Sequence, residues 1–288
     1  MQLHWKHKAC RIVPLVYTIV TQEFFVALLS MQYFSYHLNL STNVQIIIPE
    51  DRRSFPTLTG KRMPVLYLLH GHSDDNLAWI RHTNVEDLAN EYGFIVVMPT
   101  THRGYYTDAL HGHKYGTFIS KELIPAIDNT FPTINDRSSR FIAGLSMGGF
   151  GALKLSMENP DKFSKAASFS GAVNPFATSL LTDLDGSPMD DKMKNLENIF
   201  GTEESYYKSL NHLDNLAIEY KINDKEKYPI SFYASCGTED PLYGSNKKFI
   251  AFMNENGFGI KLEERPGNHN WEFWSVDIKK AFEFFTKD

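Results

Sequence analysis

A chain of 288 residues, 42% hydrophobic and 14% aromatic, carries enough apolar material for one large core and too little for several ordinary domains. Its 29 basic and 34 acidic residues are interspersed and sum to a formal net charge of -5; this argues against a nucleic-acid footprint and against a polybasic membrane patch. Cys10 and Cys236 are the only cysteines, so no disulfide framework is expected and a reducing, cytoplasmic compartment is the simpler reading. Cys236, inside the apolar run SFYASCG, reads as a small buried hydrophobe.

Residues 1–26 read as an extension. Lys6, Lys8 and Arg11 precede IVPLVYTIV and TQEFFVALLS, a signal-like order interrupted by Pro14, Gln22 and Glu23. The stretch is too short and broken to cross a bilayer, which takes about 20 apolar residues, and no clear A-x-A site follows it. Two readings stay open: a signal-like segment over residues 1–30, which would make the protein secreted or surface-associated, and a start assigned upstream of the true one.

A globular pattern begins near Ala27 and is assigned to one domain, residues 27–288. ALLSMQYFSYHL and NVQIIIPE are predicted to form an antiparallel pair around a turn at Asn39–Ser41, followed by a polar loop from Asp51 to Lys61. Continuous apolar runs then recur: VLYLL (65–69), FIVVM (94–98), RFIA (140–143), AASF (166–169), ISFYAS (230–235) and GIKLEE (259–264). Such runs signal strands covered on both faces. Helical periodicity fills the intervals, in VEDLANEY, TFISKELIPAIDNTF, GFGALKLSMEN, NKKFIAFMNENG and WEFWSVDIKKAFEFF. Strand and helix alternate, so the expected fold is α/β: a mostly parallel, doubly wound sheet with helices on both faces. Reactive groups then gather at the carboxyl ends of strands. Residues 172–229 break the alternation with polar and helical material and are expected to form a lid-like, substrate-shaping insertion.

Gly144-Leu145-Ser146-Met147-Gly148 fits G-x-S-x-G between a predicted strand and a predicted helix, the context of a nucleophile held on a sharp turn. A serine hydroxyl needs a base to take its proton and a carboxylate to orient that base. In doubly wound hydrolases the chain order is Ser, acid, His, each at a strand end. ISFYASCGTEDPLY puts Glu239 and Asp240 just past a strand, and IKLEERPGNHNWEFW puts His269 between the last strand and the last helix. Asp240 is preferred because Pro241 fixes a turn that can aim a short carboxylate inward; Glu239 is the alternative. A developing oxyanion needs donors: the backbone N–H of Met147, directly after the serine, and that of His72, in the loop after VLYLL. Trp79, Trp271 and Trp274 read as core or cleft-wall aromatics.

The same loop, His70-Gly71-His72-Ser73-Asp74-Asp75, supports a competing metal-hydrolase reading through its likeness to H-x-H-x-D-H. That motif belongs to the metallo-β-lactamase fold, whose element order does not match the alternation here, and Asp75 stands where the last His belongs, so zinc would be short of a ligand. His111-Gly112-His113 reads as a polar loop. An inactive binding module is the other alternative. Nothing in the sequence calls for a cofactor.

YLLHGHSDDNLAW, MPTTHRGYY, GLSMGGFGAL, CGTEDPLY and GNHNWEFW together resemble the esterase D (putative esterase) group of the α/β-hydrolase superfamily, and within it the tributyrin esterase branch, from about Ala27 to the C-terminus. The resemblance implies a serine carboxylesterase that hydrolyses short-chain acyl esters through an acyl-serine intermediate. It assigns Ser146 as nucleophile, Asp240 as orienting acid and His269 as general base, with a small-molecule ester as partner. Relatives in the group include S-formylglutathione hydrolases, feruloyl and acetyl-xylan esterases and mycolyl transferases, which are the alternative substrate assignments. Self-association is expected from the branch, whose members lack an extension like residues 1–26.

Overall fold

The computed structural model describes residues 25–50, 61–179 and 189–287. The extension up to residue 24, with Cys10, and most of the predicted polar loop (51–60) lie outside the described residues. Among the described residues eight strands follow in chain order: β1 (Phe25–Ser35), β2 (Leu40–Glu50), β3 (Val65–Leu69), β4 (Ile95–Pro99), β5 (Arg140–Leu145), β6 (Lys165–Phe169), β7 (Ser231–Gly237) and β8 (Lys261–Arg265). They form one sheet in the order β1-β2-β4-β3-β5-β6-β7-β8. β1, β2 and β4 pair antiparallel, and every pair from β4 to β8 is parallel. This is the mostly parallel, doubly wound sheet that the alternation of runs implied, and the α/β-hydrolase fold that the resemblance implied.

Alternate side chains of β3 feed opposite faces, as the two-residue period of a strand requires. Val65, Tyr67 and Leu69 join a core with Phe118, Phe150, Leu153 and Phe163. Leu66 and Leu68 join a second core with Val85, Leu88, Phe273, Ile278 and Phe282. The helices Met147–Glu158 and Tyr243–Glu255 cover the first face, and Val85–Tyr92 and Trp271–Thr286 cover the second. All five residues of β3 are buried, each full burial of an apolar side chain being worth about 1.5–3 kcal/mol.

Some boundaries differ from the sequence expectation. The first hairpin turns at residues 36–39 and β2 begins at Leu40, earlier than the predicted Asn39–Ser41 turn. Glu122, from the far helix, accepts the N–H groups of Tyr36 (2.9 Å) and His37 (3.2 Å) and so caps the turn there, while Asn39 takes the left-handed φ of 54°. β8 spans Lys261–Arg265 rather than 259–264 and is only half-buried, because it pairs with β7 alone among the described strands. The helical stretch before Pro132 contains a π-turn over Phe118–Leu123 ahead of the segment Ile124–Thr130. Pro125, which has no N–H to continue the ladder, follows that widened turn directly.

The register sets the level of the site. Leu69 lies opposite Gly144, Leu145 opposite Phe169, Phe169 opposite Ser235 and Gly237 opposite Arg265. Strands β3, β5, β6, β7 and β8 therefore end along one rim, and the segments after them emerge side by side. Between β6 and β7 the described residues form four helices, Pro175–Ser179, Met189–Phe200, Glu203–Tyr207 and Leu213–Asn223. Among the described residues no helix is long and apolar enough to cross a membrane.

Candidate active site

Ser146 sits between β5 and the helix Met147–Glu158 with φ 51° and ψ -116°, a conformation that costs a non-glycine residue about 1–3 kcal/mol. The surroundings over-determine it. Its N–H donates to Phe169 O at 2.9 Å, and its carbonyl accepts the N–H groups of Phe150 (3.1 Å) and Ala172 (2.9 Å). The flanking glycines are needed for close approach: a Cβ on Gly144 would lie 2.4 Å from the Gly148 backbone, and one on Gly148 would lie 2.5 Å from Leu69 O. Real Cβ contacts do not come so close, so the turn closes only with hydrogen at both positions.

The acid and histidine loops are stitched together. The N–H of Thr238 donates to Arg265 O and that of Glu239 to Gly267 O, both at 3.0 Å. A Cβ on Gly237 would lie 2.2 Å from Gly267 O, and Gly267 adopts φ 151° against the Phe273 ring. Asp240 folds back in an Asx turn, its Oδ1 accepting Leu242 N–H at 2.8 Å. Past His269, the Asn270 side chain accepts Phe273 N–H at 3.0 Å and caps the last helix. Arg265 anchors the strand end beneath this loop: its guanidinium bonds Asp277 Oδ1 at 2.6 Å and Phe273 O at 2.7 Å, and stands 3.6 Å over the Phe273 ring. Burial raises the Asp277 carboxyl above its ordinary value despite that partner.

These loops bring three of the predicted residues into one hydrogen-bonded chain. Ser146 Oγ lies 3.0 Å from His269 Nε2, and His269 Nδ1 lies 2.9 Å from Asp240 Oδ2. The Asp240 side chain is fully buried, whereas the neighbouring Glu239 is exposed. A carboxylate only accepts, so Nδ1 carries the ring proton and Nε2 is left to take one from the serine hydroxyl. Such an arrangement can make serine a nucleophile and return the proton to a leaving group.

Trp274, expected from the sequence as a core or cleft-wall aromatic, lies against one of these residues. It packs edge-on to His269 (centroids 4.9 Å apart, planes at 89°), with its indole N–H on Ser170 Oγ at 3.1 Å. Trp79 is buried with its indole N–H on Leu69 O, and Trp271 stacks on His82. His72 lies in the loop after β3, and Met147 is the first residue of the helix that follows Ser146. His70 is buried with both ring nitrogens on backbone groups, Gly71 O at 2.7 Å and Thr101 N–H at 3.1 Å, so neither faces outward as a metal ligand must. Among the described residues no three His, Cys, Asp or Glu side chains group as a metal site. Cys236 is buried, and desolvation raises its thiol far above the usual value, which disfavours the reactive thiolate. A cavity of about 240 Å³ lined by Asp108, Thr117, Ser120, Lys154 and Glu158 borders none of the three hydrogen-bonded residues.

The sheet order and the strand–turn–helix at Ser146 define a serine hydrolase of the α/β-hydrolase class. Comparison with known proteins narrows this. The family model described as "Putative esterase" matches residues 35–285. An acetyl esterase of Caldicellulosiruptor saccharolyticus is 28% identical over 274 residues, 91% of this chain and 99% of the relative. Among solved structures, the substrate-bound fluorophosphonate-binding serine hydrolase F of Staphylococcus aureus superposes with a TM-score of 0.81 at 29% identity, covering 91% of this chain and 99% of the other. An S-formylglutathione hydrolase of the same organism superposes with a TM-score of 0.74 at 30% identity, covering 91% and 100%. The chain belongs to the putative esterase family and is a serine hydrolase of carboxylic esters.

Proposed function

We propose that this carboxylesterase hydrolyses short-chain acyl esters, of the acetyl to butyryl size handled by tributyrin-type esterases, with Ser146, His269 and Asp240 as nucleophile, general base and orienting acid. The observation that carries the assignment is the continuous chain Ser146 Oγ–His269–Asp240 at 3.0 and 2.9 Å. His269 Nε2 takes the hydroxyl proton as Ser146 attacks the ester carbonyl. The oxyanion rests on the N–H groups of Met147 and His72, each such donor being worth about 10²–10³ in kcat. His269 returns the proton to the departing alcohol, then activates the water that releases the acid.

Residues 172–229 act as the lid-like insertion that sets acyl size. Three contacts support this: Phe200 packs on Tyr105, Tyr105 packs on His72, and Leu110 N–H donates to Ile199 O at 2.9 Å. The insertion is thus tied to the loops that flank the serine. With a buried free cysteine at position 236, the chain suits the reducing cytoplasm, and self-association is expected as in the tributyrin branch. The test of substrate class is kcat/KM on p-nitrophenyl esters from acetyl to octanoyl beside S-formylglutathione. The expected optimum lies at two to four carbons; a thioester preferred a hundredfold over every oxygen ester would replace this reading with S-formylglutathione hydrolysis.

A further inference from the structure

We propose that His70 is a positioning residue that aims the Gly71–His72 peptide at the oxyanion. The inference rests on the assignment of the His72 N–H as an oxyanion donor. His70 is 1% exposed at the carboxyl end of β3. Its Nδ1 lies 2.7 Å from Gly71 O, and its Nε2 lies 3.1 Å from Thr101 N. A carbonyl only accepts and a backbone N–H only donates, so a single state of the ring satisfies both: neutral, with the proton on Nδ1. Burial draws the imidazole down to about 4 and so holds that state at neutral pH.

The ring thereby fixes the direction of a peptide plane. In a trans peptide the C=O and the following N–H point to opposite sides. The Gly71 carbonyl is turned toward the His70 ring and also accepts Asp74 N–H at 3.3 Å, so the His72 N–H is turned the other way. Gly71 has no side chain to resist rotation of this plane; the His70 ring supplies the resistance. The strand end that carries it is pressed against the serine turn, since a Cβ on Gly148 would lie 2.7 Å from His70 O.

A second loop grips His70. Tyr106, fully buried, donates its hydroxyl to His70 O at 2.8 Å, and the Tyr106 ring fills the space a side chain at Gly151 would need. This loop contains His102, Tyr105 and Tyr106 at φ 48°, 48° and 55°. Left-handed non-glycine residues persist only where surroundings hold them, and they cluster where geometry serves function. A preorganised donor is what stabilises an oxyanion.

The experiment measures kcat and KM for p-nitrophenyl butyrate, and inhibition by an alkyl trifluoromethyl ketone, whose adduct with the serine carries an oxyanion. The variants are His70→Leu, His70→Asn, His70→Gln and His72→Pro, each with its thermal melting curve. His70→Leu is expected to lower kcat about 10²–10³-fold and to weaken the ketone by a similar factor, with KM near wild type. His70→Asn, which can place an N–H where Nδ1 stands, should recover most of the loss. His70→Gln, which reaches toward Thr101 instead, should not; this comparison remains decisive if His70→Leu does not fold. His72→Pro deletes the N–H itself and should reproduce the loss. A silent His70→Leu beside a crippled His72→Pro would overturn the role of His70 alone, as would equal recovery by Asn and Gln. A silent His72→Pro would overturn the oxyanion assignment and the inference with it.

Discussion

Gly148→Ala isolates the contact that holds the Ser146 turn against β3. The added Cβ would lie 2.5 Å from Leu69 O, 2.7 Å from His70 O and 2.8 Å from Leu69 C. All three are backbone atoms of a buried strand end, so no side chain can swing aside. Restoring an ordinary contact of 3.4 Å requires roughly 1 Å of separation, and misplacement of that size at a reacting group costs about 10²-fold in rate. Overpacking costs about 1–3 kcal/mol, offset by up to about 1 kcal/mol from replacing a helical glycine. A net loss near 1–2 kcal/mol would lower Tm by about 2–4 °C in all, at about 2 °C per kcal/mol for a chain of this size. Gly244→Ala is the matched control: it also lies in a helix, and a Cβ there meets nothing within 4 Å. The assay is kcat/KM on p-nitrophenyl butyrate with a melting curve for each variant. Wild-type kcat/KM in Gly148→Ala would refute the claim that this backbone contact places Ser146.

Asp240→Asn should lower kcat by about 10⁴-fold, because an amide in place of the carboxylate favours the wrong imidazole tautomer, while Glu239→Gln, at an exposed position, should leave kcat within about twofold; steady-state kinetics giving the reverse order would move the acid to Glu239. Glu122 bears on acid stability: partial burial pushes its carboxyl up, but hydrogen bonds from Ser35, Tyr36 N–H, Tyr33 and His37 N–H outweigh this and hold it below the ordinary 4.5. Its stabilisation is therefore present above the unfolded value and lost as pH falls through the lower folded one. Urea midpoints of wild type and Glu122→Gln should differ at pH 7 and converge on acidification below about pH 4.5; a gap that stays constant with pH would contradict the capping role.

Much of this was legible in the chain for physical reasons that can be named. β3 to β7 announced themselves because a strand covered on both faces must be apolar at successive positions, as in VLYLL and RFIA, and these runs are too short for helices. β8 is less legible: it is half-buried, so KLEER carries charged residues around a single apolar Leu262 and its boundary blurs. The turn after β1 was misplaced by a distant cause, the Glu122 carboxylate from a helix almost ninety residues on in sequence. Ser146, His269 and Asp240 stood out because their chemistry constrains local sequence: glycines for close approach, a strand end, a proline after the acid. The ring of Trp274 against His269 left no such trace, since an aromatic at helical spacing looks the same whether it packs on a core or on a base. HGHSDD shows histidines and carboxylates but not their directions, so His70 resembles a zinc ligand in sequence alone. Only the fold reveals that both its nitrogens are spent on backbone. The left-handed Tyr105 and Tyr106 were invisible for the opposite reason, since tyrosine gives no hint of positive φ and the strain is imposed by tertiary contacts.

The central claim is that the hydroxyl of Ser146, activated through His269 and Asp240, performs the ester cleavage. Its most direct test is hydrolysis of p-nitrophenyl butyrate by wild type and Ser146→Ala, purified in parallel and matched by melting temperature. The account predicts ready turnover by wild type and a loss of about six orders of magnitude in the variant. Equal rates in the two proteins would contradict it, and would leave the glycines around Ser146 with a packing role alone.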